Sequence, residues 1–301
     1  MKKNVGIIGL GDMGIGMAKN IVKKGFELTG FDLRAERLEM LSKLGGKPAT
    51  SSREVGEKSN IVFIMVLNGD QVKEVVLGKD GLLEGMKEGS TIVVSATINP
   101  SEVMELEEPI LGKGINLVDT PVSGGKSGAE NGTLTFMTVA KKEVFEDCKP
   151  VFEAVAKDIH YIGDKIGMGQ TTKASLQAFI GSSFTAIFES LVLGVKAGVP
   201  AEILYKVFST SGVSSNLFKN CAKLIMERKF EKTGSHIGTM YKDLGISMKM
   251  AKDNGVMMST TAAAYELFRA GFSLFPEGDN WSIVKLLEQI AGIEVIGNVE
   301  E

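Results

Sequence analysis

The chain has 301 residues, a formal net charge of −3, two cysteines and two histidines. That length suits two domains with ample core, and a near-neutral balance without a concentrated basic run argues against nucleic acid as the main partner. Cys148 and Cys221 cannot build a disulfide framework, so a reducing cytoplasm is expected. His160 and His236 are too few for a histidine metal cluster, and no metal site is expected.

The opening residues, MKKNVGIIGLGDMGIGM, place lysines before an apolar run as a signal peptide does, but glycines and Asp12 break that run. Val5 to Ile8 reads instead as a short buried parallel strand. Gly9-Leu10-Gly11-Asp12-Met13-Gly14 follows at once, then a helical pattern through Met17, Ala18, Ile21 and Val22 that stops at Gly25. Phe26 to Phe31 is the next strand, ending at Asp32. A G-x-G-x-x-G between strand and helix, with an acidic residue about 20 residues on, is the arrangement of a dinucleotide site. Gly9 permits the tight turn, Gly11 lets the backbone approach a pyrophosphate, and Gly14 lets helix and strand pack closely. The helix N-terminus adds N–H groups and a positive dipole end for the phosphates. Asp32 would accept hydrogen bonds from a ribose diol and repel a 2′-phosphate, which favours NAD; Arg34 nearby softens that preference and leaves NADP open.

The alternation continues with an apolar strand from Ile61 to Leu67, after which Asn68-Gly69-Asp70 begins a loop and caps a short helix. Thr91 to Ser95 is another strand, followed by Ala96-Thr97-Ile98-Asn99-Pro100 and a helix from near Ser101. Ile115 to Asp119 runs into Thr120-Pro121-Val122-Ser123-Gly124-Gly125. Ligands of open α/β sheets bind beyond the carboxyl ends of strands, and Gly9 to Gly14, Leu67 and Asn68, Thr97, and Ser123 to Gly125 all fall there. Thr133 to Ala140 and Ile159 to Ile162 read as further strands, with a helix around Val144 to Val155 between them.

Gly163 to Pro200 carries one long helix, about 167–197. Leu176, Ile180, Phe184, Ile187, Leu191 and Val195 recur by threes and fours, and Phe179, Phe188 and Val192 widen that stripe, so the helix should be largely buried. Gln177, Glu189 and Lys196 interrupt it and argue against a membrane span. Lys173 and Gln177, four residues apart, share a face near its start. Beyond Pro200 only helices are expected, over Ala201 to Phe208, Asn216 to Arg228, Tyr241 to Lys252, Ser259 to Ala270 and Asp279 to Ile290. Met257 and Met258 are expected to fill core gaps, and Trp281 to be a buried or interface anchor. The expected fold class is α/β, with an N-terminal Rossmann-type doubly wound sheet over 1–163 that binds NAD. An all-α C-terminal domain over 164–301 follows, joined to it by the long interdomain helix. A helix so nearly apolar also points to a homo-oligomer that covers part of it.

On these motifs the chain resembles the β-hydroxyacid dehydrogenase family, which includes 3-hydroxyisobutyrate dehydrogenase and tartronate semialdehyde reductase, and the resemblance covers nearly the whole sequence. Gly9 to Met17 (GLGDMGIGM) is similar to that family's cofactor loop, and Asp119 to Gly125 (DTPVSGG) to its substrate loop. Gly167 to Lys173 (GMGQTTK) is similar to the start of its catalytic helix. Lys242-Asp243-Leu244-Gly245 resembles a segment whose lysine approaches the nicotinamide end of the cofactor. Leu191 to Lys196 (LVLGVK) is similar to the branch acting on 2-(hydroxymethyl)glutarate. The resemblance implies reversible hydride transfer between NAD and the primary alcohol of a small 3-hydroxy acid, of 3-hydroxyisobutyrate, tartronate semialdehyde/glycerate or 2-hydroxymethylglutarate type. It implies Lys173 as general acid/base, with Ser123, Gly124, Gly125 and Gln177 on the substrate. The cofactor would lie on Gly9, Leu10, Gly11, Asp12, Met13, Gly14, Asp32, Leu67, Asn68, Thr97 and Lys242, in a dimer or tetramer. The chain departs from the pattern where Gln177 replaces the usual Asn, Ala96 a common serine, and Asn68 a Leu-Pro turn. The loop Glu231 to His236 also lacks an aromatic that often follows its glycine.

Oxidising a primary alcohol requires a group that takes the hydroxyl proton, and the reverse reaction one that supports the developing alkoxide. Lys173 serves both needs if the site desolvates it or sets a second cation nearby, because a solvated lysine titrates at about 10.4; Lys242 is the candidate cation. The plain alternatives are a surface lysine in a first helical turn, a surface amide at Gln177 and an ordinary Ser-Gly-Gly turn. Tyr161 and Lys165 match the Y-x-x-x-K spacing of short-chain dehydrogenases, but that pair works on a helix and Tyr161 lies in a strand pattern. Oxidative decarboxylation, as in 6-phosphogluconate enzymes, calls for His, Asn and Glu where Leu176, Gln177 and Ile180 stand. An imine reductase on the same scaffold would generally lack the lysine. A non-catalytic nucleotide-binding regulator is disfavoured by the intact Lys173, Ser123 and Gly125.

Overall fold

In the computed structural model, which describes residues 3–298, the expected alternation begins with β1 (Val5–Ile8), α1 (Asp12–Lys23), β2 (Leu28–Phe31), α2 (Ala35–Lys43), β3 (Lys47–Pro48) and α3 (Ser52–Lys58). It continues through β4 (Ile61–Ile64), α4 (Gly69–Leu77), α5 (Leu82–Gly85), β5 (Thr91–Val94), α6 (Pro100–Met104) and α7 (Glu107–Leu111). β6 (Asn116–Asp119), β7 (Val122–Ser123), α8 (Gly125–Asn131), β8 (Leu134–Val139), α9 (Lys142–Val155) and β9 (Ala156–Gly163) complete this half. The strands form one sheet in the order β3-β2-β1-β4-β5-β6-β8-β7, with β9 beside β8. From β3 to β6 the strands are parallel and grow outward from β1 and β4, the doubly wound arrangement. β8 runs antiparallel to β6 and β7, and β9 runs parallel to β8.

Alternate residues of the central strands serve opposite cores, as a period of two requires. Ile7, Phe63 and Val93 pack with Met17 and Ile21 of α1 and Phe152 of α9. Ile8, Val62, Ile64, Ile92 and Val94 pack with Val72, Val76, Leu82, Val103 and Ile110 on the other face. Both faces are covered, which is why β1, β4 and β5 carry no charged residue and only one polar one, Thr91. β4 stops at Ile64 instead of reaching Leu67. The chain turns there because the Leu67 N–H donates to Gln71 Oε1 (2.9 Å) while Asn68 Oδ1 accepts from the Gln71 N–H (2.9 Å), capping α4.

α10 (Met168–Lys196) is followed by α11 (Ala201–Thr210), α12 (Asn216–Met226), α13 (Ile237–Asp253), α14 (Ser259–Leu274), a 3-10 turn (Asn280–Ile283) and α15 (Val284–Ala291). Phe184, Phe188 and Leu191 of α10 join Phe218, Ile225, Leu244, Phe268 and Trp281 in a third core. Trp281 is buried, and its Nε1–H donates to the Lys229 carbonyl (2.6 Å). α10 is long and apolar enough to cross a membrane by length and composition. Its Phe184, Phe188 and Leu191 are buried in this helical core, but Phe179 of the expected stripe is 70% exposed, so the helix is less buried than its pattern predicted. Met257 departs from expectation: it is 87% exposed, on the turn between α13 and α14, and fills no core gap.

The chain divides into two compact units between Lys173 and Ala174, later than the 163/164 boundary read from the sequence. The reason lies in the first turn of α10, whose backbone and Gln170 side chain are hydrogen-bonded to the ends of β5 and β6.

Candidate active site

The parallel register lines up one edge of the sheet. Ile8 pairs with Phe31 and with Ile64, Ile64 with Val94, and Val94 with Asp119, so the carboxyl ends of five strands form a row. The glycine loop, Asp32, Leu67 and Asn68, Thr97, and Ser123 to Gly125 all leave from this edge.

Gly9 has φ +89, and a Cβ there would lie 2.4 Å from the Met65 carbonyl oxygen; a Cβ on Gly14 would lie 1.9 Å from the Gly9 carbonyl oxygen. Neither position admits a side chain. Gly11 is different, because a Cβ there would meet nothing within 4 Å. Gly11 caps α1 without any side-chain hydrogen bond, and the N–H groups of a first turn have no partner within the helix. Open space beside uncapped N–H groups fits the pyrophosphate of a dinucleotide. Leu10 is buried in the core and Met13 packs against it, while Asp12 pairs with Arg37 (3.3 Å) and Lys126 (3.9 Å).

Asp32, just beyond β2, is buried and fully engaged. Its Oδ2 accepts from the Leu10 N–H (2.7 Å) and Arg34 Nη2 (3.0 Å), and its Oδ1 from Arg34 Nε (2.9 Å) and the Arg34 N–H (3.0 Å). Burial alone would raise its carboxyl pKa, but the hydrogen bonds from Arg34 and Leu10 outweigh it and hold the group below its ordinary value. Leu67 projects to solvent, and the Asn68 side chain is spent on the α4 cap. Thr97 is half-buried between Ala96 and Ile98.

Ser123 ends β7, and Gly124, the N-cap of α8, and Gly125, its first residue, take positive φ values of 125 and 59. α8 was not expected from the sequence. It is pinned to α1 by Asn20, whose Nδ2 donates to the Ala129 carbonyl (2.8 Å) and the Glu130 carbonyl (3.2 Å). Gly16 permits the approach, since a Cβ there would lie 2.9 Å from Ala129 Cβ. The Ser123 to Gly125 turn is thereby tied to α1, the helix of the glycine loop.

Lys173 lies in the second turn of α10 and is only 6% exposed, which removes the surface-lysine alternative. The preceding turn is held by two fully buried side chains that sequence reasoning did not single out. Asp119 Oδ2 accepts from the N–H groups of Gly167 (3.0 Å), Gly169 (3.0 Å) and Gln170 (3.4 Å). Gln170 donates from Nε2 to the Ala96 carbonyl (3.0 Å) and accepts at Oε1 from the Ile98 N–H (3.1 Å). Burial pushes the Asp119 carboxyl up to about 6 despite its three N–H partners. The signal for Asp119 was its place at the end of a strand before the Ser-Gly-Gly loop; for Gln170, a polar side chain between two glycines and the lysine.

In the helical unit, Gln177 is 6% exposed and donates from Nε2 to Asp243 Oδ2 (2.6 Å), while Lys242 Nζ pairs with Asp243 Oδ1 (2.9 Å). Gln177, Asp243 and Lys242 thus form one polar group on α10 and α13, and Asp243 is the member that orients the other two. His236 accepts from the Gly238 N–H (3.1 Å) as the cap of α13. Tyr161 donates its hydroxyl to the Ala140 carbonyl (3.2 Å) from β9, a structural bond unrelated to a Y-x-x-x-K helix.

A doubly wound sheet with an uncapped glycine-loop helix at its carboxyl edge is the arrangement of a dinucleotide-binding domain. The family model described as the NAD binding domain of 6-phosphogluconate dehydrogenase matches residues 4–163, and that described as NAD-binding of NADP-dependent 3-hydroxyisobutyrate dehydrogenase matches residues 167–287. The chain is 34% identical over 295 residues to 2-(hydroxymethyl)glutarate dehydrogenase of Eubacterium barkeri, covering 97% of each chain. It is 31% identical over 300 residues to L-threonate dehydrogenase of Cupriavidus necator, covering 100% of each. The crystal structure of 3-hydroxyisobutyrate dehydrogenase from Salmonella typhimurium superposes with a TM-score of 0.86 at 30% identity, covering 94% of this chain and 99% of that one. The chain belongs to the β-hydroxyacid dehydrogenase family and is an oxidoreductase acting on CH–OH.

Proposed function

We propose that this chain reversibly oxidises the primary alcohol of a small 3-hydroxy acid with NAD, using Lys173 as general acid/base. The observation that carries the reading is a lysine buried near the start of α10, in the same compact unit as the glycine loop and the Ser123 to Gly125 turn. The neutral amine of a lysine is the form able to take the hydroxyl proton. The nicotinamide ring, when bound, accepts or returns the hydride. In the reducing direction the Lys173 ammonium gives a proton to the developing alkoxide. Ser123 and the backbone N–H groups of Gly124 and Gly125 would receive the substrate carboxylate. Gln177, one turn beyond Lys173, would hydrogen-bond the substrate hydroxyl or carboxylate through the amide N–H that Asp243 leaves over. Gly9 to Gly14 and Asp32 would carry the dinucleotide, with Leu67, Asn68 and Thr97 beside it and Lys242 as a further cofactor contact.

The relatives set the substrate panel: 2-(hydroxymethyl)glutarate, L-threonate and 3-hydroxyisobutyrate, with NADH formation followed at saturating NAD. Turnover of 3-hydroxyisobutyrate or 2-(hydroxymethyl)glutarate is expected, whereas turnover of L-threonate alone, whose 2- and 3-hydroxyls are secondary, would contradict the primary-alcohol assignment. No turnover of any 3-hydroxy acid by folded protein that binds NADH would overturn the reading. The protein is further proposed to work in the cytoplasm as a homodimer or homotetramer. Two free, buried cysteines suit a reducing compartment. Recovery of the expressed protein with the membrane fraction would contradict that location.

A further inference from the structure

We propose that Asp119 and Gln170 are positioning residues that set Lys173 against the carboxyl ends of β5 and β6. The inference rests on the reading of Lys173 as the acid/base group. Three backbone N–H groups converge on one Asp119 oxygen, and the Gln170 amide bridges the Ala96 carbonyl and the Ile98 N–H. One clamp grips β6 and the other the segment after β5, so the first turn of α10 is held from two strands. Gly169 lets the helix press onto the sheet, since a Cβ there would lie 2.9 Å from Asp119 Cγ and 2.8 Å from the Met137 carbonyl oxygen.

Lys173 follows Gln170 by three residues, about 4.5 Å along a helix axis. Little flexible backbone separates clamp and lysine, and a hydrogen-bonded helical turn does not stretch to absorb a shift. The substrate turn Ser123 to Gly125 leaves from the same strand ends, four residues beyond Asp119 at its start. Both clamps therefore fix one distance, that between the lysine and the place where the substrate carboxylate is proposed to bind. An ordinary helix cap would need only one acceptor and would not require Gln170 to reach across to β5. Displacing a catalytic group by about 1 Å costs on the order of 100-fold in rate, so loosening this turn should fall on kcat.

The test compares Gln170→Ala, Asp119→Ala and Asp119→Asn with the wild type in the panel substrate turned over fastest. kcat, KM and NADH affinity by fluorescence are measured, together with the rate of acetic anhydride labelling of Lys173 by mass spectrometry. Gln170→Ala and Asp119→Ala should lower kcat by about 10- to 100-fold. Substrate KM and NADH affinity should stay within about threefold, and Lys173 should label faster. Asp119→Asn retains an acceptor oxygen for the three N–H groups and should restore most of kcat. Unchanged kcat and labelling in folded Gln170→Ala overturns the proposal, and so does a parallel loss of kcat and NADH affinity. Should Asp119→Ala fail to fold, Gln170→Ala and Asp119→Asn decide alone. Lys173→Ala runs alongside: if it stays active, the acid/base reading has failed, whereas an inactive Lys173→Ala beside a fully active Gln170→Ala sinks only the clamp.

Discussion

Two aspartates at the carboxyl edge carry opposite electrostatics. Asp32 is buried but held ionised by Arg34 and the Leu10 N–H, whereas Asp119 is buried with one oxygen lacking any protein partner and is driven up to about 6. Arg34 is therefore more than a solvated charge. With its guanidinium on both Asp32 oxygens it screens the charge that would repel a 2′-phosphate. Arg34→Ala should lower kcat/KM with NADP about tenfold or more, the scale of a lost charge-assisted hydrogen bond, and change NAD turnover much less. Equal losses with both cofactors would contradict this role. For Asp119 the folded pKa is raised from 3.8 to about 6, so the folded state binds the proton more tightly than the unfolded chain. The penalty is fully present above about pH 6 and fades as pH falls towards 3.8, amounting to about 3 kcal/mol. Asp119→Asn should be more stable than wild type at pH 7.5, with the gap closing by pH 4.5. Denaturant midpoints that show a pH-independent gap, or a less stable variant at pH 7.5, would count against it.

At the scale of elements, α1 and α8 show what the sequence could and could not reveal. The strands were legible because runs such as Ile61 to Ile64 are apolar throughout, and the glycine loop because its spacing answers a known geometric need. α8, with the sequence GKSGAEN, has a single apolar residue, Ala129, and no hydrophobic period to read. What holds it is polar: Asn20 reaches out of α1 to the carbonyls of Ala129 and Glu130. Nothing in a one-dimensional pattern separates that asparagine from a solvated one. Asn20→Ala should cost about 1–3 kcal/mol, since it strips the buried Ala129 carbonyl of its donor, and lower the unfolding midpoint accordingly. A midpoint equal to wild type would show that water replaces the contact. The same limit hid Asp119 and Gln170, whose partners lie 48 to 74 residues away. α13 likewise starts at Ile237, ahead of the expected Tyr241, because His236 caps it through a loop that carried no helical period. Lys173 and Gln177 shared a helix face by their spacing, and their proposed roles came with the resemblance, whereas the hydrogen bond between Gln177 and Asp243 came only with the fold.

For the whole molecule, a dinucleotide sheet and a helical unit share one long helix, with the lysine at the division between them. That helix leaves Phe179 70% and Leu193 71% exposed in the single chain, more apolar surface than a core helix usually shows water. A second copy covering them accords with the proposed homo-oligomer, and light scattering at micromolar concentration should give a multiple of the chain mass; a single-chain mass would refute it. The proposed chemistry turns on Lys173. The most direct measurement is single-turnover NADH formation by Lys173→Ala at saturating NAD and substrate, with NADH affinity determined on the same sample. The expected result is a rate lowered by about 10²- to 10⁴-fold, the range of general acid–base catalysis, with NADH affinity within about threefold of wild type. A rate within a few-fold of wild type would remove Lys173 from the reaction.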